Sequence, residues 1–450
     1  MSLSPMLEFM VSRMEGLSTN TLRLEVQNQS SNISPQSIIR VTLPQNVLLS
    51  IPSLAWHMNV QTSGASGAGV TRMANGLDHL INRVSVSIGG QDVASGANFY
   101  NVLSRCREVI EGCKLDAGLE HPEIITTGAK NNYVTGDAAD ISGSEAYPEA
   151  NNSTQFCVKR WNGFLDSCEP KVLSTDLVSD IVITIFLEQA SLAVVAADNV
   201  TDASFVTNVS AQVPSYTLNN LYFTVKAFSM ANGVVDNLYA EQLASGNLEL
   251  AFKQYFAFRD TTKSTMRYSV ASQSINKIMV AHHENASPNV TDQHPILAAG
   301  YNGIGDGSAN RVLNLGKVKY IVPYTNFSEP TAAGGKALYE WQLNGAKYPM
   351  FRATAEDLLL IARQANGARA DLYDKDMGLH QYLSNNFVSC MDLTLDAPSS
   401  RFLQGLDTRS TSLSAYYNMF NVTADKTLTL FVECGSSLFI APGKQVAVIQ

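Results

Sequence analysis

Short runs of alternating apolar and polar residues, cut off by Gly-, Asn- and Ser-rich connections, recur along the chain and constrain it more than any other feature. A period of two buries one face of each run and exposes the other, which is strand geometry. Thr21–Val26 and Ser37–Leu43 alternate in this way, Ile51–Val60 follows, and Ile81–Ile88 (INRVSVSI) alternates again before Gly89-Gly90. Gln155–Arg160, Ile181–Glu188, Tyr216–Met230, Leu248–Phe258, Ser274–Ala281, Val318–Val322 and Leu338–Leu343 also read as strands. Asn386–Leu395, Thr427–Val432, Ser437–Ile440 and Gln445–Ile449 close the chain in the same manner. Helical spacing is confined to a few places. Phe99–Ile110 puts Leu103, Cys106 and Ile110 on one side, and Val235–Leu243 fits a short helix. Thr354–Gln364 has a capping Thr354, acidic Glu356 and Asp357 in its first turn, and Gly367 to end it.

The order of these elements repeats. Ser85–Gln91 is a strand ending at a Gly turn with a helix starting near Tyr100, and Glu340–Ala346 is the same with a helix near Ala355. Both features are offset by 255 residues (345 − 90; 355 − 100). A later pair, Ile181–Glu188 and Thr427–Val432, is offset by about the same amount (427 − 181 = 246). Identity between the halves is negligible, so the evidence for duplication is the order alone. A mostly β chain with one or two helices per half predicts two sandwiches, with a seam near Ala231–Asp236.

Composition limits the function. The 450 residues suffice for two or three domains, each with its own core. The hydrophobic fraction is 45% and the mean hydropathy −0.02, which excludes an integral bundle of membrane helices. The longest apolar run, Ile181–Leu187, is far below the roughly 20 residues of a span. A net charge of −9 is a poor basis for wrapping nucleic acid. The N-terminal MSLSPMLEFMVSRMEG lacks the order of a signal peptide, so synthesis in the cytosol is expected. Six cysteines show no C-x-x-C spacing, and free thiols in a reducing compartment are expected. Cys106 and Cys113 sit about 10 Å apart along a helix, too far to bridge. Asn-x-Ser/Thr sequons begin at Asn28, Asn32, Asn151, Asn152, Asn199, Asn208, Asn285, Asn289, Asn326 and Asn421. The abundance of Asn, Ser and Thr accounts for them by chance.

No motif carries chemistry. His282-His283-Glu284 starts like a zinc helix, but Ser287 stands where the second ligand belongs and Pro288 follows. His57, His79, His121, His294 and His380 are scattered, as expected of surface residues on loops. Gly64-Ala65-Ser66-Gly67 misses the nucleophile elbow, and Gly303–Gly307 lacks a strand–helix frame. Gly335-Lys336 and Gly443-Lys444 lack the Ser or Thr of a phosphate loop. Glu188, Glu249, Asp392 and Asp396 lie in or beside strands, where acidic residues usually face water. Trp56, Trp161 and Trp341 fit a core or a subunit contact better than a sugar platform. The sequence therefore assigns no catalytic, metal or cofactor-binding residue and no cofactor.

Several segments nevertheless carry a resemblance. Ile81–Arg105 (INRVSVSIGGQDVASGANFYNVLSR) is similar to a strand, Gly turn and "Y-N-x-L" helix of the double jelly-roll major capsid proteins of the adenovirus-type lineage. Those of polinton-like viruses, virophages and large nucleocytoplasmic DNA viruses are the nearest in style. Val172-Leu173-Ser174 leading into Asp180–Glu188, Tyr216–Val225, Tyr339–Arg363 with its "N-G-x-x-Y-P" turn, and Gly405–Arg409 resemble later pieces of the same pattern, in the same order. The resemblance implies an all-β chain of two tandem eight-stranded jelly rolls with short helices and long surface loops. It implies an N-terminal arm at 1–20, a first roll at 21–233 and a second at 234–450. The implied role is a structural, non-enzymatic major capsid protein in the virion. Its pseudo-hexagonal homotrimers would tile an icosahedral shell. The implied partners are the chain itself, neighbouring trimers, and minor capsid and penton proteins. A further protein layer or an inner membrane would face the genome, with no sequence-specific nucleic acid binding by this chain. The trimer seam is expected to be large and apolar, as in obligate interfaces. Gln61–Gly69, Gly112–Ser153, Ala286–Asn314 and Tyr324–Gly335 are candidate outer loops, and Leu3–Met14 a candidate contact arm. The alternatives are a minor capsid or spike protein with one roll, and a β-sandwich carbohydrate-binding protein or carbohydrate-active enzyme.

Overall fold

The computed structural model describes residues 18–27, 32–63, 70–73, 77–94, 98–111, 154–190, 194–198, 215–229, 248–261, 264–284, 319–320, 327–364, 379, 382–383, 386–394, 405–409, 415–423 and 426–449. The first half contains β1 (Ser18–Glu25), β2 (Ile38–Thr42), β3 (Leu48–Ser63), β4 (Val70–Met73), β5 (Ile81–Ile88), β6 (Gln91–Ala94), helix α1 (Tyr100–Glu111), β7 (Thr154–Val158), the one-turn α2 (Phe164–Ser167), β8 (Val172–Ser174), β9 (Ile181–Leu187), β10 (Val194–Asp198) and β11 (Ser215–Ser229). The second contains β12 (Leu248–Thr261), β13 (Thr265–Tyr268), β14 (Ile275–Glu284), β15 (Lys319–Tyr320), β16 (Leu338–Leu343), β17 (Ala346–Ala353), helix α3 (Ala355–Gln364), β18 (Val388–Asp392), β19 (Ala415–Phe420), β20 (Lys426–Ala441) and β21 (Gln445–Ile449).

Each half makes two antiparallel sheets in the same order. The first has β1-β11-β3-β7, with β8 added to β3, facing β2-β9-β5-β6. The second has β12-β20-β14-β18, with β21 added to β20, facing β13-β19-β16-β17. In both halves the third and fourth sheet positions are joined by a two-residue hairpin turn. Gly89-Gly90 has φ 58 and 81, and Asn344-Gly345 has φ 51 and 82. Two successive positive φ values make the tight turn that suits strand twist, and Gly or Asn tolerates them. A helix follows in both halves, before the last strand of the larger sheet. The two sheets of each half form a jelly roll. A small sheet, β15-β10-β4, joins the halves, with Ala197 opposite Tyr320.

The strand pair chosen from sequence to extend the repeat is corrected. Thr427–Val432 lies in β20, whose place in the sheet matches β11, and the partner of β9 is β19. The offset falls from 255 to 234 (415 − 181) because the connection after α3 is shorter than that after α1. Ala346–Pro349, read as part of the "N-G-x-x-Y-P" turn, lies in β17, and β6, β13 and β19 had no strand assigned to them. Val235–Leu243 and the loops at 112–153 and 286–314 lie outside the described residues.

Packing crosses the halves. The first core holds Trp56, Trp161, Ile183 and Phe223, and also Leu250 and Phe252 of β12 and Leu438 and Ile440 of β20. Trp56 and Phe223 stack there at 6.1 Å. The second core holds Trp341, Tyr339, Tyr417, Leu430 and Val432. Thus β12 and β20 run from one core into the other. β20 is buried on both faces over most of its length, which is why its sequence, TLTLFVECGSSLFI, shows little alternation.

Candidate assembly surfaces

Alternation along β14 sends Ile278 and Val280 into the second core and Met279 and Ala281 out of the sheet's other face. That outer face is covered by α1 of the first roll. Val102, Leu103, Cys106, Val109 and Ile110 pack there with Met279, Cys390 and Phe431. Each fully buried Val, Leu or Met contributes roughly 1.5–3 kcal/mol, so the seam is a third core. Polar groups pin its rim. Arg105 reaches Glu108 at 2.9 Å and donates to Asn386 Oδ1 at 2.5 Å. Glu433 accepts from Tyr255 Oη at 2.9 Å and pairs with Lys253 at 2.8 Å. Burial alone would raise the Glu433 pKa, but the charges of Lys253 and Lys277, the Lys253 hydrogen bond and Arg107 outweigh it and hold the carboxyl at about 2.

The groups that resemble catalytic sets are sealed or incomplete. His282 and His283 are fully buried in β14. His282 Nε2 lies 3.1 Å from Tyr417 Oη and 3.3 Å from Ser389 Oγ, which are themselves 2.8 Å apart. All three are inaccessible, and burial first, then His283 and Lys426, press the His282 pKa well down. Glu188 is 5% exposed rather than facing water. It accepts from Asn82 at 2.8 Å and Asn101 at 3.1 Å, and its backbone carbonyl accepts from Tyr216 Oη at 2.5 Å. These groups clamp β9, α1 and β11 together. His57 sits in β3, with its ring stacked on Tyr222 at 4.6 Å and Cys157 Sγ 3.8 Å from Nε2. Asn421, a sequon residue, takes φ 56 at a turn and donates to Lys336 O at 3.3 Å. Among the described residues no group of His, Cys, Asp or Glu is arranged to hold a metal. A cleft between Tyr100, Phe164 and Lys253 has about 30 Å³ of space, room for water rather than a metabolite. Cys106, Cys157, Cys168, Cys390 and Cys434 are buried free thiols, while Cys113 lies outside the described residues.

What the surface does offer is apolar projection. Between the pairs Tyr339↔Ala353 and Trp341↔Tyr348, β16 has one residue and β17 has four, so Pro349–Arg352 bulges from an edge strand. Met350 at the bulge is 95% exposed and Phe351 57%, and Leu360 on α3 is 55% exposed. Lys347 and Arg352 brace the bulge on the buried Glu340 at 3.2 and 3.8 Å. Large apolar side chains held out on a braced edge have the chemistry of a protein contact surface. The sequence pointed to loops and to Leu3–Met14 for contacts, and to no residue of β17 or α3. An extended, partly polar stretch of β17 gives no sign of which side chains will project.

No family model and no curated protein matches the sequence. Solved structures do match. VP54 of PBCV-1, fitted into a reconstruction of the virophage Sputnik, superposes over 97% of this chain and 98% of its own, at TM-score 0.57 and 12% identity. The Faustovirus major capsid protein covers 94% of this chain and 91% of its own, at TM-score 0.54 and 9% identity. The mavirus major capsid protein covers 95% and 89%, at TM-score 0.50 and 8% identity. Matched sheet orders, helices in matching positions and superposition over nearly the whole length of viral capsid proteins establish that this chain has the double jelly-roll fold.

Proposed function

We propose that this chain is the major capsid subunit of an icosahedral virus and acts in the virion as a structural protein rather than an enzyme. The observation that carries the reading is the duplication: two rolls of one sheet order, fused in one subunit, in a fold shared end to end with viral capsid proteins. Three such subunits present six similar lobes around a three-fold axis, and a near-hexagonal block tiles a flat facet. The arm at 1–20, the first roll at 21–233 and the second at 234–450 are the units of this reading. Neighbouring trimers, minor capsid proteins and penton proteins are the proposed partners. With a net charge of −9, a separate protein layer or an inner membrane is the better candidate to face the genome.

The test is assembly of the purified full chain. Mass measurement is expected to give a species of three 48.8 kDa copies, and electron microscopy a pseudo-hexagonal outline. A stable monomer that binds or cleaves members of a glycan panel would reject the reading.

A further inference from the structure

The smaller sheets of the two rolls can be compared rung by rung from their hairpin turns. Ile88 before Gly89-Gly90 and Leu343 before Asn344-Gly345 hold the same place, opposite Ile181 and Ala415. One rung from there, the first roll sets Thr42, Val182, Ser87 and Asp92 side by side. The second roll sets Arg267, Tyr416, Gln342 and Lys347 in the same places. Both rungs face away from their cores, because the strand neighbours Val41, Ile183, Val86, Met266, Tyr417 and Trp341 face in. The next outward rung exchanges Arg40, Thr184 and Ser85 for Thr265, Asn418 and Glu340. Farther along, both rolls stack an arginine on a phenylalanine, Arg83 at 5.3 Å from Phe186 and Arg352 at 3.9 Å from Phe420. That stack is common to the two rolls and belongs to the fold. The rung by the turn differs: a neutral row ending in one acid stands against an aromatic flanked by two cations.

We infer that the outer face of the β13-β19-β16-β17 sheet binds an anionic polysaccharide. The inference goes beyond the capsid reading and does not depend on it. Arg267 and Lys347 are exposed at the two ends of the rung, three strand spacings or roughly 14 Å apart. Tyr416 and Gln342 lie half-buried between them. The buried Glu340 carboxylate holds Lys347 at 3.2 Å and Arg352 at 3.8 Å, which fixes both cations before a ligand arrives. Arg267, Lys347 and Arg352 outnumber that single carboxylate, so this face is positive on a chain of net charge −9, and its charge complement is an anion. A flat sheet face suits an extended chain laid along it rather than a compact molecule in a pocket. The Tyr416 ring offers a flat surface to the C–H side of a pyranose, and the amides of Gln342 and Asn418 offer donors and acceptors to its hydroxyls. Arg267 and Lys347 then meet sulfate or carboxylate groups on either side. A peptide is less well served. The strands under Tyr416 and Gln342 are already paired on both sides, which leaves its backbone no ladder to join there.

The experiment titrates the full chain with dextran sulfate and with neutral dextran of the same length, by calorimetry. Dextran sulfate is expected to bind at least about tenfold more tightly than dextran. Arg267→Thr is expected to weaken it at least about fivefold with an unchanged melting temperature. Tyr416→Val, which copies the first-roll rung and keeps a strand-forming residue, is expected to weaken it by about as much. Lys444→Glu, a charge change at the β20–β21 turn, is expected to leave the affinity within about twofold. If Tyr416→Val fails to fold, Arg267→Thr and the comparison with neutral dextran decide. Polyglutamate or single-stranded DNA bound as tightly as dextran sulfate overturns the inference, because charge alone is then being read. So does a titration without binding, or with binding that neither Arg267→Thr nor Tyr416→Val changes. If the chain is a trimer by mass, these failures leave the capsid reading standing. A stable monomer that binds dextran sulfate through Arg267 and Tyr416 upholds the inference and rejects the capsid reading.

Discussion

Gly405 has no room for a side chain. A Cβ there would lie 2.1 Å from the Ile275 carbonyl oxygen and 2.7 Å from Asn276 Oδ1, and the nearest obstacle is backbone. The close approach lets Leu406 pair with Ile275 and Gly405 N donate to Ser274 Oγ at 2.8 Å, and it lets Thr408 bond Ser272 and Val270. Gly405→Ala should therefore cost about 1–3 kcal/mol or more, seen as a lower denaturant midpoint with an unchanged slope. Glu433 gives a second prediction, in pH. Its pKa is depressed from the ordinary 4.5 to about 2. A carboxyl depressed on folding stabilises above its unfolded pKa, and that stability is lost as pH falls through the folded value. Between pH 5 and 2.5 the wild type should lose stability more steeply than Glu433→Gln, which starts lower and falls less. Urea midpoints at each pH check this, and the comparison removes the other carboxylates. Neither residue was legible as such. Gly405 belonged to a recognisable segment, but the backbone beside it comes from β14, about 130 residues earlier. Glu188 read as a group facing water, because polarity in a sequence does not reveal partners that close over it.

At the scale of elements, α3 shows what local sequence does decide. Thr354 and Asp357 form a reciprocal cap: Thr354 N donates to Asp357 Oδ2 at 2.9 Å, and Asp357 N donates to Thr354 Oγ1 at 3.4 Å. Thr354→Ala should cost about 1 kcal/mol, measured as a shift in melting temperature, and Thr354→Ser should restore most of it. The cap, the helix, the Gly turns and most long strands were all readable, since each depends on neighbours within a few residues. β19, with its alternating burial, and β13 are short, and their sequences AYYNMF and TMRY carry too few residues to reveal a period. β20 hid its faces for the opposite reason, being buried on both. The bulge of β17 was illegible because it is defined by a count of residues against β16, and that count exists only once the two strands are paired.

For the whole molecule, the division that matters is not where the sequence changes from one roll to the next. Leu250, Phe252, Leu438 and Ile440 come from the second half and complete the first core, and Val446 and Val448 of β21 pack against it. Glu169 and Ala251 exchange two backbone hydrogen bonds, at 2.8 and 3.0 Å, across the same junction. Meanwhile α1 of the first roll is a wall of the seam on the second. Removing a large buried side chain from a core typically costs about 2–5 kcal/mol, and cutting the chain at 233 removes at least four at once, while stability margins are about 5–15 kcal/mol. A fragment of residues 1–233 should therefore not reach a native first roll. It is expected to show strand content by far-ultraviolet circular dichroism with a collapsed near-ultraviolet signal from Trp56 and Trp161, and to be digested rapidly by protease. Co-expressing 234–450 should restore both signals, because what the fragment lacks is packing partners rather than a peptide link. A fragment that alone gives a sharp melt and native near-ultraviolet bands would mean that the shared strands are dispensable and that each roll is an independent domain. The intact chain, by the same logic, should melt in a single calorimetric transition, and Val109→Asp, which puts a charge into the seam, should lower that transition rather than split off one roll while the other stays native.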